Sequence, residues 1–389
     1  MSLVIVAGAI ANKPGNGGEA WVRASWARGF RRLGFDVFFV EQLAPEHCVD
    51  RDGRRVSFEE SVNRAYFASV VEEIGFGDRA ALVYGDGAET LGPTLGELAD
   101  IAGEAALLAN ISGHLSLPEI FARPGLRAYI DIDPGFTQFW HAAGDGGTRL
   151  AGHDLYFTIG ENIGRSGCTI PVDGILWHPT RQPVVLEDWP VASTTVDPGA
   201  RFTTVGSWRG SFGPVRHAGR DYGVKAHEFR KFLSLPERSD CRFEVALAIH
   251  PDDGRDLEAL LRSGWDVVDP GRVAGDPSSF REYVRGSTAE FSVAQGIYVD
   301  TWSGWFSDRT ARYLASGKPA LVQETGFRER LPVGEGLVSF RTLEEAVGGA
   351  ERIARDYDVH CSVARSIAEE HFDSDRVLGE LVERAGVSP

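Results

Sequence analysis

Basic residues are in deficit in this chain: 40 lysines and arginines stand against 56 aspartates and glutamates, a formal net charge of −16. A surface of that sign repels phosphate backbones and anionic lipid, which argues against nucleic acid as a partner and against non-specific adhesion to membranes. An anionic ligand would need a local basic patch. Cysteine is scarce as well. Cys48, Cys168, Cys241 and Cys361 lie far apart with no C-x-x-C spacing, so neither a zinc site nor a disulfide framework is expected. No apolar run approaches the roughly 18 residues of a spanning helix, so no transmembrane segment is expected. The opening stretch, 1–8, has no basic n-region and runs straight into a strand pattern. The expectation is a cytoplasmic protein without a signal peptide. Internal repeats and low-complexity tracts are absent too.

Glycine, by contrast, is plentiful at 46 residues, as suits a fold with many tight strand–helix turns. A chain of 389 residues exceeds one ordinary core, which favours two domains of roughly 180 residues each. Residues 3–7 read as a buried strand. The Gly15-Asn16-Gly17-Gly18 turn follows, then a helix from near Glu19 with Val22, Trp26, Phe30 and Leu33 at helical spacing, closed by Gly34. Residues 37–40 form the next strand, completing a βαβ unit and implying a parallel sheet. Strand patterns recur at 80–84, 105–111, 128–132 and 155–159, each ending in a polar or glycine-rich turn. Periodicity is lost over 183–200, read as the interdomain connection. A second series follows: strands at 202–205, 243–249, 266–268, 290–293, 319–323 and 336–338, with helices at 225–233, 257–262, 279–285, 343–356, 362–370 and 375–385. The expected fold class is α/β, two Rossmann-like doubly wound domains facing a cleft. The expected boundaries are 1–185, a linker over 186–200, 201–370, and a C-terminal helix over 371–389 that packs back across the cleft.

The segment from Trp302 to Pro319 is the most informative. It reads as a glycine-containing loop feeding a short helix, with Ser307 or Asp308 as N-cap and Gly317 with Pro319 as the stop. Arg309, Arg312 and Ser316 share one face, while Ala311, Leu314 and Ala315 line the other. Two guanidiniums beside the unpaired N–H groups of a helix start make a site for a phosphate or diphosphate. The alternative is a surface helix in which Asp308 pairs with Arg312 at i,i+4.

The run from Ser303 to Gly326 resembles nucleotide-sugar-dependent glycosyltransferases of the GT-B type. Ala315-Ser316-Gly317-Lys318-Pro319-Ala320-Leu321-Val322 carries the likeness, as the small-small-Gly-x-Pro-strand signature that follows the donor helix. The resemblance implies GT-B architecture and a donor diphosphate at the helix start, around Ser307, Asp308, Arg309, Thr310 and Arg312. It also implies a donor sugar near Gln323 and Thr325. Many retaining members place two glutamates eight positions apart here, where this chain has Gly304 and Arg312. The ribose contact and the stereochemical outcome are left open by that departure. The turn after residues 202–205, with Ser207, Trp208 and Arg209, would lie beneath the diphosphate. Gly17 and Gly18 occupy the matching turn of the first domain, where their lack of side chains would let donor or acceptor approach the backbone. That turn is not G-x-G-x-x-G, and Glu41 is only a weak ribose hook, so a nicotinamide dehydrogenase ranks low.

Transfer with inversion needs a base for the acceptor hydroxyl. Asp86, His114, Asp131 and Asp133 stand at strand ends of the first domain, and Glu19 at the first helix start. His114 is the first candidate, with Asp133 and Glu19 beside it. Asp131 and Asp133 form an Asp-x-Asp, which suits the cleft or a loop cap better than a metal. The expectation is thus a metal-independent glycosyltransferase, a hexosyltransferase by class, with no cofactor beyond its nucleotide diphosphate sugar co-substrate. Its partners would be that donor and a small-molecule or glycan acceptor. A sugar-nucleotide epimerase would differ by isomerising donor without acceptor, and a non-catalytic nucleotide-sugar binding protein by binding without turnover. The oligomeric state is not readable.

Overall fold

A computed structural model describes residues 1–192, 200–210 and 212–389. The first lobe is built on eight strands: β1 (Leu3–Ala7), β2 (Asp36–Leu43), β3 (Ala80–Tyr84), β4 (Glu89–Leu91), β5 (Ala105–Ile111), β6 (Arg127–Asp131), β7 (Leu155–Thr158) and β8 (Trp177–Pro179). Their order is β4-β3-β2-β1-β5-β6-β7-β8, parallel except for the β3–β4 pair. The second lobe contributes β9 (Arg201–Ser207), a hairpin of β10 (Val215–His217) and β11 (Arg220–Tyr222), then β12 (Arg242–Ala248), β13 (Asp266–Val268), β14 (Ala289–Ser292), β15 (Ala320–Gln323) and β16 (Leu337–Phe340). Six of these form a parallel sheet in the order β13-β12-β9-β14-β15-β16. The strands read as apolar runs because helices cover both faces, as in Leu3–Ala7, buried at every position.

Chain order reverses beside the first strand of each sheet, between β1 and β5 and between β9 and β14. Crevices open at the carboxyl ends of strands at such reversals. Each lobe therefore offers one ligand position, and the two face each other.

Helix Gly17–Arg32 joins the lobes. Asn16 caps it, its side chain accepting from Glu19 N. Trp26 and Phe30 are fully buried, in an apolar cluster that continues from β1 into Phe280 and Leu314 of the second lobe. Trp21 Nε1 donates to Pro277 O at 2.7 Å, across the interface. Gly17 N donates to Ala274 O at 2.9 Å, and a Cβ on Gly17 would stand 2.0 Å from the Asp276 carbonyl oxygen. Only glycine permits that approach, and it is to the opposite lobe's backbone.

Of the expected connection over 186–200, residues 193–199 lie outside the described residues. The part before them is packed rather than loose. Val184 bridges Asp373 in parallel, and Val184, Val185 and Trp189 are buried. The last helix, Ser374–Ala385, rests on Gly17–Arg32 of the first lobe, where Arg32 pairs with Asp375 at 3.0 Å. The 362–370 helix proves longer, Tyr357–His371. Helices Val62–Glu73, Leu95–Glu104 and Phe136–Ala142 and the β10–β11 hairpin were not anticipated.

Candidate functional site

Between the lobes lies a cavity of about 490 Å³. The first lobe supplies Lys13, Pro14, Gly15, Asn16, Gly18 and Glu19 from the β1–helix loop. The second lobe supplies Val205, Gly206 and Ser207 at the end of β9, Ala248 at the end of β12, and Lys225, Pro270, Ala274, Phe280, Asp308 and Arg309. The cavity thus sits at the second sheet's reversal.

Helix Asp308–Ala315 aims its start here, and Ser307 makes no side-chain cap to its first N–H groups. Uncapped N–H groups with the helix dipole behind them favour a bound anion. Arg309 is held beside them. Its Nε donates to Glu290 Oε1 at 2.6 Å, Nη1 to Val205 O at 2.6 Å and Nη2 to Ser292 Oγ at 2.9 Å. Burial works against its charge, and Glu290 more than offsets it.

Lys225 is the cation that sequence reasoning missed; it was read only as the first residue of a helix. It opens helix Lys225–Phe229, tied down by its own N–H donating to Gln295 Oε1 at 2.6 Å. Its ammonium lies over Gly206, where a Cβ would come within 3.2 Å of Nζ. Among the described residues it forms no ion pair. Burial pushes it down to about 7, with the Arg309 charge adding to the effect and Glu290 and Asp308 opposing it.

On the first-lobe side, Lys13 Nζ lies 2.9 Å from Glu19 Oε1, and Arg23 also pairs with Glu19. Burial alone would raise the Glu19 carboxyl, yet Lys13 and Arg23 hold it well below the carboxylate range. Asp133, within the influence of Lys13 and Glu19, is pushed up to about 6 by burial. Tyr298 of the second lobe donates to Asp133 Oδ1 at 3.4 Å, and its ring stacks on Trp305 with centroids 4.5 Å apart. His114 is driven down to about 3, by burial first and then by Arg23, Lys13 and Arg149. The three candidate bases therefore share one electrostatic neighbourhood. Asp131 is a loop cap: buried, it accepts from Thr137, Gln138, Thr158 and Asp133 N.

Of the residues singled out from the sequence, Gly18, Glu19, Ser207, Asp308 and Arg309 line the cavity. Other candidates point elsewhere. Arg312 is 1 % exposed and donates to Asp308 Oδ2 at 2.8 Å, the i,i+4 pair, and to Ser25 Oγ of the first lobe at 3.3 Å. Thr310 and Ser307 are buried. Trp208 is in the second core, its Nε1 donating to Asp256 Oδ2 at 2.8 Å. Arg209 faces outward onto Asp253 at 2.7 Å. Gln323 is turned into its own lobe, accepting from Ala294 N and donating to Glu228, and Thr325 Oγ1 donates to Trp305 O. Gly17 is occupied by the contact with Asp276. Glu41 is far from a ribose hook: it is buried and accepts three backbone N–H groups of its own lobe.

No family model matches the sequence, and no curated protein matches it either. Solved structures do resemble it in fold. An alpha-glucosyltransferase solved with UDP and a 13-mer DNA superposes with a TM-score of 0.62 at 10 % identity, covering 100 % of this chain and 99 % of that one. HepE of Anabaena, solved with UDP, gives 0.57 at 10 % identity over 99 % and 100 %. Sucrose-phosphate synthase of Thermosynechococcus elongatus gives 0.55 at 10 % identity over 99 % of each. At this identity the likeness is one of fold. The chain has the GT-B fold, two Rossmann-like domains facing each other across a cleft.

Proposed function

We propose that the chain is a glycosyltransferase that takes a nucleoside diphosphate sugar in the interlobe cavity. The observation that carries this reading is the pairing of Lys225, a cation without an ion-pair partner among the described residues, with Arg309 and an uncapped helix start at the second sheet's reversal. A −16 chain that gathers cations around an uncapped helix start has built the local patch an anionic ligand requires. Two fold neighbours were solved with UDP, which agrees with a nucleotide ligand.

In this reading the diphosphate lies against Lys225, Arg309 and the N–H groups from Asp308 onward. These stabilise the negative charge that gathers on the leaving group as the sugar–phosphate bond breaks. The acceptor oxygen forms the new bond to the sugar, and its proton passes to a base. Asp133 suits that task best among the three candidates. A carboxyl raised to about 6 is ionised at neutral pH and remains basic enough to take a proton. Glu19, held low by two cations, is too weakly basic, and His114 at about 3 weaker than Asp133. Lys13 and Glu19 would roof the donor from the first lobe.

The test is release of nucleoside diphosphate from a panel of nucleotide sugars, with and without candidate acceptor alcohols. Acceptor-dependent release supports transfer. Tight nucleotide binding without release or sugar transfer would defeat the enzymatic reading, and isomerised donor in the absence of any acceptor would replace it with epimerisation.

A further inference from the structure

The turn after the first strand of a Rossmann-like lobe presents successive backbone N–H groups, a ready place for a phosphate. In this chain the first lobe's turn is already filled. Glu41, on β2 and 1 % exposed, reaches across to β1's loop. Its Oε2 accepts from Ile10 N and Ala11 N, both at 2.7 Å, and its Oε1 accepts from Asn12 N at 2.8 Å. Asn63 pins the same loop from the other side, its Nδ2 donating to Ala11 O at 2.7 Å while its Oδ1 accepts from Val49 N. Beyond the pinned residues come Lys13 and Asn16, which line the cavity, and then Gly17, fastened to Ala274 O of the second lobe.

We propose that Glu41 is a positioning residue for the donor site: its carboxylate stands where a phosphate would sit in the first lobe, and it thereby fixes the loop that holds Lys13 over the cavity. This assignment rests on the cavity being the donor site. A glutamine at 41 keeps the shape but turns one acceptor into a donor facing an N–H group. Alanine removes the anion altogether. Burial pushes Glu41 up to about 7 against the three hydrogen bonds that favour its charge, so the clamp exists at the expense of a desolvated carboxylate. That is a costly way to hold an ordinary turn.

The experiment is a double-mutant cycle with two readouts. Amide hydrogen exchange at Ile10, Ala11 and Asn12 is measured in the wild type and in Glu41→Gln. Calorimetry with UDP-glucose, GDP-mannose and ADP-glucose is run on the wild type, Glu41→Gln, Lys13→Ala and the double variant, and the tightest binder is used for the cycle. The expected result is at least about tenfold faster exchange at the three amides in Glu41→Gln, with exchange in β7 unchanged. Affinity should fall about tenfold in Glu41→Gln and in Lys13→Ala, with the double variant no weaker than Lys13→Ala alone. Unchanged exchange, or losses that multiply, overturns the proposal. If Glu41→Gln does not fold, Asn63→Ala removes the second pin and must show the same non-additivity with Lys13→Ala. A wild type that binds none of the nucleotide sugars defeats the donor assignment, while the exchange readout still decides whether Glu41 clamps the loop.

Discussion

The turns that follow β1 and β9 occupy equivalent places in two similar lobes, yet they are finished differently. After β1, the three N–H groups of Ile10, Ala11 and Asn12 are satisfied by the internal carboxylate of Glu41. At the carboxyl end of β9, Gly206 and Ser207 border the cavity, with Lys225 over Gly206 and Arg309 on the same wall. A fold built from two Rossmann-like halves offers two phosphate positions. Here one is closed from within and the other is left cationic and open. In the proposed reading this is a division of labour, the second lobe receiving the diphosphate and the first supplying the roof and the base.

That division can be tested by removing one group at a time. The largest effect is expected from Asp133→Asn, which keeps the fold and nucleotide affinity but lowers kcat by about 10² to 10⁴, the usual worth of a general base. In the wild type, kcat/KM should fall below about pH 6 as Asp133 is protonated. A profile flat to pH 5 would remove Asp133 from the role. Next comes Arg312→Ala. Its guanidinium is buried on Asp308 and Ser25, so its loss should cost about 2–4 kcal/mol of stability, read by denaturant unfolding, with nucleotide affinity changed far less than in Lys225→Ala. Lys225→Ala should weaken nucleotide-sugar binding about 10- to 100-fold, the scale of a charged hydrogen bond. The sign with pH follows from its depressed value of about 7. The ammonium is charged below that pH and lost above it, so affinity should decline above pH 7 in the wild type and be flat in Lys225→Ala. Calorimetry in buffers of different ionisation heat would show proton uptake on binding in the wild type alone. The smallest effect belongs to Arg209→Ala. With its side chain on Asp253 and outside the cavity, affinity should stay within about twofold.

The architecture was readable because its signal is local. Apolar runs bounded by glycine turns gave β1, β3, β5 and β13 to the residue, and 3.6-residue spacing gave helix Gly17–Arg32 within two residues. Two missed helices had local signals that went unused, the Ser61 cap of Val62–Glu73 and the Thr94–Glu97 capping box of Leu95–Glu104; the other missed elements had weak ones. β4 and β8 are three residues each at or near a sheet edge, and helix Phe136–Ala142 is held by packing of Phe139 on Tyr222 of the other lobe. At the site, spacing along one helix could say that Arg309 and Arg312 share a face but not which partner each finds. Asp308 lies one turn before Arg312 and takes it inward, whereas Arg309 meets Glu290 on β14 at the cavity wall. Lys225 was invisible because its importance comes from two distant contacts, the Gln295 side chain that anchors its backbone and the missing side chain at Gly206. Glu41 was noticed for the wrong geometry. A carboxylate after the second strand was weighed as a ribose hook, and it turns instead toward the backbone of β1's loop.

Diffraction from crystals soaked with a nucleoside diphosphate tests the central claim most directly. The account predicts diphosphate density between Lys225 Nζ, Arg309 and the first N–H groups of helix Asp308–Ala315, with Glu41 still on Ile10, Ala11 and Asn12. Density on those first-lobe N–H groups with Glu41 displaced, or an empty cavity at saturating nucleotide, would contradict it.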